Sequence, residues 1–226
     1  MKSSAFNAYK RRYGAAIQQV LSDAEPGRLD EIGFPAYSHA NPLIKWLFWK
    51  RLHTVMDYIE LRAPYERALD FGCGSGVMLP FLSDMCDQVV AADVDLVPLE
   101  RMKGRIPLAS NVQEWDTSGK DLSQESASAF DLIIALDVLE HVKDLPGTLA
   151  QLLRLLKKGG QLVISGPTEN ALYRFGRKLA GPEYSGDYHE RGVAEIRCAL
   201  KEQTKLRQIA TLYWPVPLFE VFAALT

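Results

Sequence analysis

The run Leu69-Asp70-Phe71-Gly72-Cys73-Gly74-Ser75-Gly76 closes an apolar, strand-like segment with a carboxylate and opens into a loop whose alternate residues lack a side chain. Glycines at every second position leave a strip of bare backbone amides, a surface against which a small molecule can press. Their spacing narrows the ligand. A dinucleotide loop needs a glycine at the sixth position counted from Gly72, where Val77 stands, and a triphosphate loop needs a Gly-Lys-Ser or Gly-Lys-Thr that does not follow. Further polar residues close later apolar segments: Asp93 and Asp95, then Asp116, then Asp137, Glu140 and His141. Taken singly, such residues cap helices and turns. At successive strand ends they form one polar rim, where open α/β sheets bind their ligands.

From Tyr65 onward, strand-like and helix-like segments alternate, which predicts a doubly wound, mostly parallel sheet wrapped by crossover helices. Strands are expected at 67–71, 88–92, 111–115, 130–136 and 161–165, with 121–129 as a loop. Pro80 fits only the first turn of the helix after the glycines, and a short helix over 96–103 stops at Gly104. Leu145, Leu149, Leu152, Leu153 and Leu156 recur at helical spacing, with Gly159 as the expected C-cap. Residues 166–188 read as a long loop holding three tyrosines, followed by a helix over 191–202 and a strand over 205–213. The apolar stretch 215–226 must pack or meet a partner.

Residues 1–62 read as a helical N-terminal extension and 63–226 as the ligand-binding domain. In the extension's second half, Ile44, Leu47, Phe48, Leu52, Val55, Met56 and Ile59 share one helical stripe. Trp46 and Trp49 fall off that stripe beside Lys45, Lys50 and His53, an aromatic-basic surface of the kind that lies at a membrane interface or lids an apolar substrate.

The 226 residues suit one α/β domain with an extension, and 47% apolar with 24% charged residues is ordinary for a globular protein. A formal net charge of −2 offers no field for gripping a polyphosphate, so nucleic acid is not expected as a partner. Cys73, Cys86 and Cys198 are odd in number and lack metal-ligand spacing, which argues against disulfides and structural zinc and for a reducing cytoplasm. No run approaches the length of a membrane span, and the N-terminus lacks the apolar core of a secretion signal. The chain shows no signature of an oligomeric state.

The acid, one residue and Gly-x-Gly-x-Gly of Asp70 to Gly76 resemble the first motif of the class I S-adenosylmethionine-dependent methyltransferases. The stretches Phe130 to Val142 and Leu156 to Ser165 resemble the same superfamily's strand-four and strand-five signatures, in the expected order, so that the likeness covers about half the chain. The resemblance implies a Rossmann-like fold, S-adenosylmethionine as cofactor and S-adenosylhomocysteine as product. It assigns Asp70, Gly72, Cys73, Gly74 and Gly76 to the methionine end. Asp93, with Val94, falls to the ribose hydroxyls, and Trp115, Asp116 and Leu136 to the rest of the nucleoside. Within it, the ubiquinone-type O-methyltransferases imply a small or lipid-like acceptor methylated at oxygen, with His141 and His189 as candidate bases. No metal ligand set is read. The short C-terminal part is expected to leave the last hairpin of the usual seven-stranded sheet incomplete. Two other readings are weighed: a nicotinamide-dependent oxidoreductase, disfavoured by Val77, and a non-catalytic domain of the same fold that binds cofactor, a partner or a membrane through the Trp46/Trp49 surface.

Overall fold

A computed structural model describes residues 3–23, 37, 41–118, 122–168, 192–213 and 217–226. Helix α1 (Ser3–Ser22) and helix α2 (Pro42–Glu60) precede the sheet. Then follow β1 (Tyr65–Phe71), α3 (Leu79–Met85), β2 (Cys86–Asp93), α4 (Val97–Lys103) and β3 (Val112–Asp116). The second half holds β4 (Phe130–Leu136), α5 (Leu145–Leu155), β5 (Leu156–Pro167), α6 (Val193–Lys201), β6 (Lys205–Leu212) and β7 (Phe219–Leu225). Strand order is β3-β2-β1-β4-β5-β7-β6, parallel except at β7, which runs antiparallel to both β5 and β6.

The helices begin where local chemistry lets them. Asn41 accepts the amide hydrogen of Leu43 at 2.9 Å and Pro42 takes the first turn of α2, where its missing N–H costs nothing. Asp144 does the same for α5, accepting from Gly147 at 3.0 Å. Alternate strand residues bury on opposite sheet faces. Ala68, Val89, Ala91, Leu132 and Ile134 join the core under α1 to α4, whereas Leu69, Val90, Ile133, Leu162 and Phe222 join the core under α5 and α6. Each fully buried Val, Leu, Ile or Phe among them contributes roughly 1.5–3 kcal/mol.

Three expectations are corrected. The last hairpin is complete: β6 and β7 pair along their length, and the apolar C-terminus fills the gap between β5 and β6 because Phe219, Val221 and Phe222 are buried there. Gly159 does not cap α5. The helix ends at Leu155, and Leu156 already pairs with Phe130; the register then shifts before Leu132 meets Gln161, so Gly159 lies within an irregular start of β5. Trp49 is not on the outer side of α2. It is 1% exposed, held between Tyr37 at 5.4 Å, Phe6 at 5.8 Å and Tyr13 at 5.9 Å, because α1 covers that face. Trp46 does stand outward, 48% exposed beside Tyr213. The 121–129 loop contains a 3-10 turn, Leu122–Gln124, pinned by Arg154 donating to the carbonyl of Leu122 at 2.8 Å. No helix among the described residues is long and apolar enough to cross a membrane.

Candidate functional site

The sheet edge formed by the carboxyl ends of β1, β2, β3 and β4 collects the expected acids in one place. Asp70 sits at the end of β1 in register with Ala91, and Asp93 at the end of β2 in register with Asp116. Between β1 and α3 the glycine loop folds back on β2: the amides of Gly72 and Cys73 both donate to the carbonyl of Ala92, at 2.8 and 3.1 Å. Gly74 then donates its amide to the Asp93 carboxylate at 2.7 Å, and Asp95 donates to the other oxygen at 3.2 Å. A carboxylate has about four lone-pair positions. Two are used by these amides, so two stay open for vicinal hydroxyls.

The glycines differ in why no side chain stands there. At Gly76 (φ +77°) a Cβ would meet Leu99 at 2.6 Å and Leu79 at 2.9 Å, so the position is closed by packing. At Gly74 (φ +51°) a Cβ would meet nothing within 4 Å, so the backbone there faces open space. That is the layout of a ligand cradle. Val77, where a dinucleotide loop would have glycine, is buried and accepts at its carbonyl from the Tyr9 hydroxyl at 2.9 Å. Tyr13 donates to the Ser75 carbonyl at 3.1 Å and shares a 2.6 Å contact with the Ser75 hydroxyl. Two tyrosines of α1 thus brace the loop from behind.

Asp70 is buried beneath the loop, and its carboxyl is pushed up to about 8, first by burial and then by the neighbouring Asp93 charge. A cation brought next to it would relieve that cost, which suits the ammonium of an amino-acid tail. The Cys73 thiol is raised well above its ordinary range by burial and by the same two carboxylates, so it is no nucleophile. Val94 projects outward at 68% exposure. Trp115 is half-buried at the end of β3, Asp116 is exposed with an oxygen accepting from the Ser118 amide at 2.8 Å, and Leu136 is half-buried at the end of β4.

The neighbouring end of β4 and β5 holds a second cluster. Asp137, at φ +54°, pairs closely with the buried Arg51 guanidinium of α2, and its amide donates to the Ser165 carbonyl at 3.0 Å. Burial raises the Asp137 carboxyl, and Arg51 and His141 pull it back. The Arg51 guanidinium lies 5.0 Å from the ring centres of both Phe48 and Phe219. Tyr37, whose hydroxyl is pushed up to about 12 by burial, interacts with Arg51 and also senses Asp70, so it stands between the two clusters. His141 is exposed at the end of the 3-10 turn Leu139–His141, and Glu140 is buried. His189 and the tyrosines of the 166–188 loop lie outside the described residues.

Sequence reasoning missed Arg51, Tyr9 and Tyr13. Arg51 had a signal: it interrupts the apolar stripe between Phe48 and Val55, where a charge is buried only with a partner. Tyr9 and Tyr13 lie one turn apart among Phe6, Ile17 and Val20, a stripe readable as apolar but not as a brace for a loop over sixty residues away.

A family model described as a methyltransferase domain matches residues 10–215. A ubiquinone biosynthesis O-methyltransferase of Xanthomonas oryzae pv. oryzae is 32% identical over 162 residues, 67% of this chain and 66% of the relative. One from Hahella chejuensis is 30% identical over 161 residues, 68% of this chain and 67% of the relative. The match with the Xanthomonas protein thus spans just under two thirds of its length. Among solved structures, the N-methyltransferase NodS of Bradyrhizobium japonicum in complex with S-adenosylhomocysteine superposes with a TM-score of 0.62 at 19% identity, over 95% of this chain and 98% of that one. A Burkholderia thailandensis 1,6-didemethyltoxoflavin-N1-methyltransferase superposes with a TM-score of 0.58 at 16% identity, over 96% and 89%.

Proposed function

This chain belongs to the class I S-adenosylmethionine-dependent methyltransferases, and on that premise we propose that it transfers a methyl group from S-adenosylmethionine to the oxygen of a small, lipid-like acceptor. The observation that carries the reading is the Asp93 carboxylate, held by the Gly74 and Asp95 amides beside the open backbone at Gly74. Asp93 would take the ribose hydroxyls. Asp70 and the backbone of the Gly72 to Gly76 loop, whose Gly72, Cys73, Gly74 and Gly76 amides are spent on internal acceptors, would border the methionine end, and Trp115, Asp116, Val94 and Leu136 would border the base.

When bound, the cofactor supplies an electrophilic methyl carbon on a sulfonium. The chain's own task is then to hold an acceptor oxygen in line and keep water out, which yields roughly 7–11 kcal/mol in well-oriented intramolecular models. The walls for that are Phe48, Phe219 and Tyr213, with Tyr37, Arg51 and Asp137 fixing the polar end. A hydroxyl acceptor must lose its proton as it attacks, and His141 is the described imidazole nearest Asp137 in the chain, with His189 a second candidate. The ubiquinone O-methyltransferase relatives support oxygen as the target and an acceptor with an apolar tail. The 1–62 segment would supply the acceptor side, with Trp46, but not Trp49, exposed toward a membrane interface.

Calorimetry with S-adenosylhomocysteine and with NAD tests the cofactor. Micromolar binding of the first and none of the second is expected, and the reverse would return the chain to the oxidoreductases. Incubation with labelled S-adenosylmethionine and a pool of catechols and isoprenoid phenols, followed by mass analysis, tests the acceptor. Labelled O-methyl ether is expected, and label on nitrogen or carbon alone would reject the oxygen target.

A further inference from the structure

On the outer side of Trp49 and Tyr37, α1 and α2 enclose a groove of about 440 Å³. Its rim holds Lys10, Arg11 and Lys45 with the amide of Asn7, and no carboxylate is among its lining residues. Small side chains on α1 keep it open: a Cβ at Gly14 would meet nothing within 4 Å. This local charge runs against the composition, since the whole chain is at −2.

Several cations elsewhere are answered by acids. Arg67 meets Glu125 at 3.1 Å, Lys103 meets Glu114 at 2.6 Å, Arg105 meets Asp23 at 2.8 Å and Arg197 meets Glu220 at 3.1 Å. Others such as Lys50, Arg101 and Lys158 stand singly among the described residues; what sets the groove apart is that its three cations share one concavity. Lys10, Arg11 and Lys45 have no such partner among the described residues. Lys10 instead lies 5.8 Å from the Trp49 ring centre, and burial followed by the charge of Lys45 holds its ammonium below the ordinary lysine range. Like charges converging against an aromatic floor cost stability unless an anion joins them.

We propose that this groove binds a phosphate group carried by a ligand other than the methyl donor. Phosphate suits it better than a carboxylate, because a charge of about −2 with three acceptor oxygens answers several cations at once. Lys10 and Lys45 supply the paired charge, Arg11 a forked donor at the rim, and Asn7 a neutral one. The site lies across Tyr37 from the Arg51–Asp137 pair and uses none of the residues of the glycine loop. It therefore stands or falls separately from the methyl-transfer reading.

Pyrophosphate is the probe, titrated by calorimetry into the full chain at low ionic strength, with S-adenosylhomocysteine titrated separately as a control on the cradle. Binding is expected that weakens with added salt, weakens about tenfold or more in Lys10→Gln/Lys45→Gln, and persists in Lys10→Arg. S-adenosylhomocysteine affinity should not change. The double variant should melt no lower than the parent, because it removes a repulsion. Sedimentation with phosphatidylglycerol and phosphatidylcholine vesicles separates the sources. Binding to the first alone that is lost in the double variant places the phosphate on a lipid headgroup, and pyrophosphate binding without vesicle binding places it on a soluble ligand. Binding to neither probe, equal binding by the double variant, or a lower melting temperature for it would overturn the assignment.

Discussion

The carboxyl ends of β1 and β2 and those of β4 and β5 adjoin one another, yet they hold their carboxylates by opposite means. At β2, Asp93 is steadied by main-chain amides of its own neighbourhood, Gly74 and Asp95, and remains partly open. At β4, the half-buried Asp137 is steadied by a buried guanidinium brought in from α2, itself held between Phe48 and Phe219. The first arrangement presents spare lone pairs to a visiting molecule. The second neutralises its charge internally and shapes a wall. On the proposed reading, one carboxylate would bind and the other would position.

That contrast is broken most forcefully at Arg51. Arg51→Met leaves the half-buried Asp137 carboxylate without its counter-charge and is expected to cost roughly 3 kcal/mol in urea unfolding, the low end for breaking a buried pair. Adding Asp137→Asn, which tolerates the positive φ, should return much of that loss. If the single variant unfolds like the parent, the pair is not what holds α2 on β4.

The glycines sharpen the contrast within the cradle itself. Gly76→Ala forces a methyl group against Leu99 and Leu79 and should cost roughly 1–3 kcal/mol of stability by overpacking, on top of the positive-φ strain. Gly74→Ala meets no neighbour, so its stability cost is expected at about 1–2 kcal/mol from φ alone. Its effect on S-adenosylhomocysteine affinity, read by calorimetry, should be the larger of the two. Equal effects on both readouts would remove the distinction between a packed glycine and a ligand-facing one.

Asp93→Ala comes next. Losing a charged hydrogen-bond acceptor is worth roughly 1.5–3 kcal/mol, so cofactor affinity should fall about ten- to a hundredfold with little change in melting temperature. Unchanged affinity would show that the ribose hydroxyls go elsewhere.

The gentlest test is pH. The folded chain keeps Asp70 protonated up to about pH 8, while an unfolded Asp loses its proton near pH 4. Between those values the folded state binds more protons, so this residue makes stability fall as pH rises through the window. Asp70→Asn should flatten that slope in unfolding measurements at successive pH values. Cofactor binding, if it brings an ammonium to Asp70, should release a proton near neutrality, detectable as a dependence of the calorimetric heat on buffer.

How much of this was readable in the chain follows the same division. The β1 loop, Asp93 and the Leu145–Leu155 stripe are local patterns, set by residues within about twenty positions of each other, and they appear where the spacing places them. Asp137 was visible as a strand-end acid, but its partner Arg51 comes from α2 and lies against Phe219 of β7, segments that only the folded topology brings together. Trp49 was misplaced for a related reason. Helical spacing on α2 alone cannot show that α1 covers its second face, which leaves an outer stripe narrower than the residues off the apolar one and without Trp49. The last hairpin was underestimated because β7 is buried on both faces and lacks the alternation that marks a half-exposed strand.

The braces from Tyr9 and Tyr13 to the back of the glycine loop tie two parts of the molecule into one mechanical piece. The loop of the proposed cradle is braced from the far side by the first helix, so slack in that helix becomes slack in the loop. A chain trimmed of its opening turns would keep every strand of the sheet and still let go of its cofactor sooner. Conversely, filling the cradle should slow hydrogen exchange along α1, a helix hydrogen-bonded to the loop through two phenol groups.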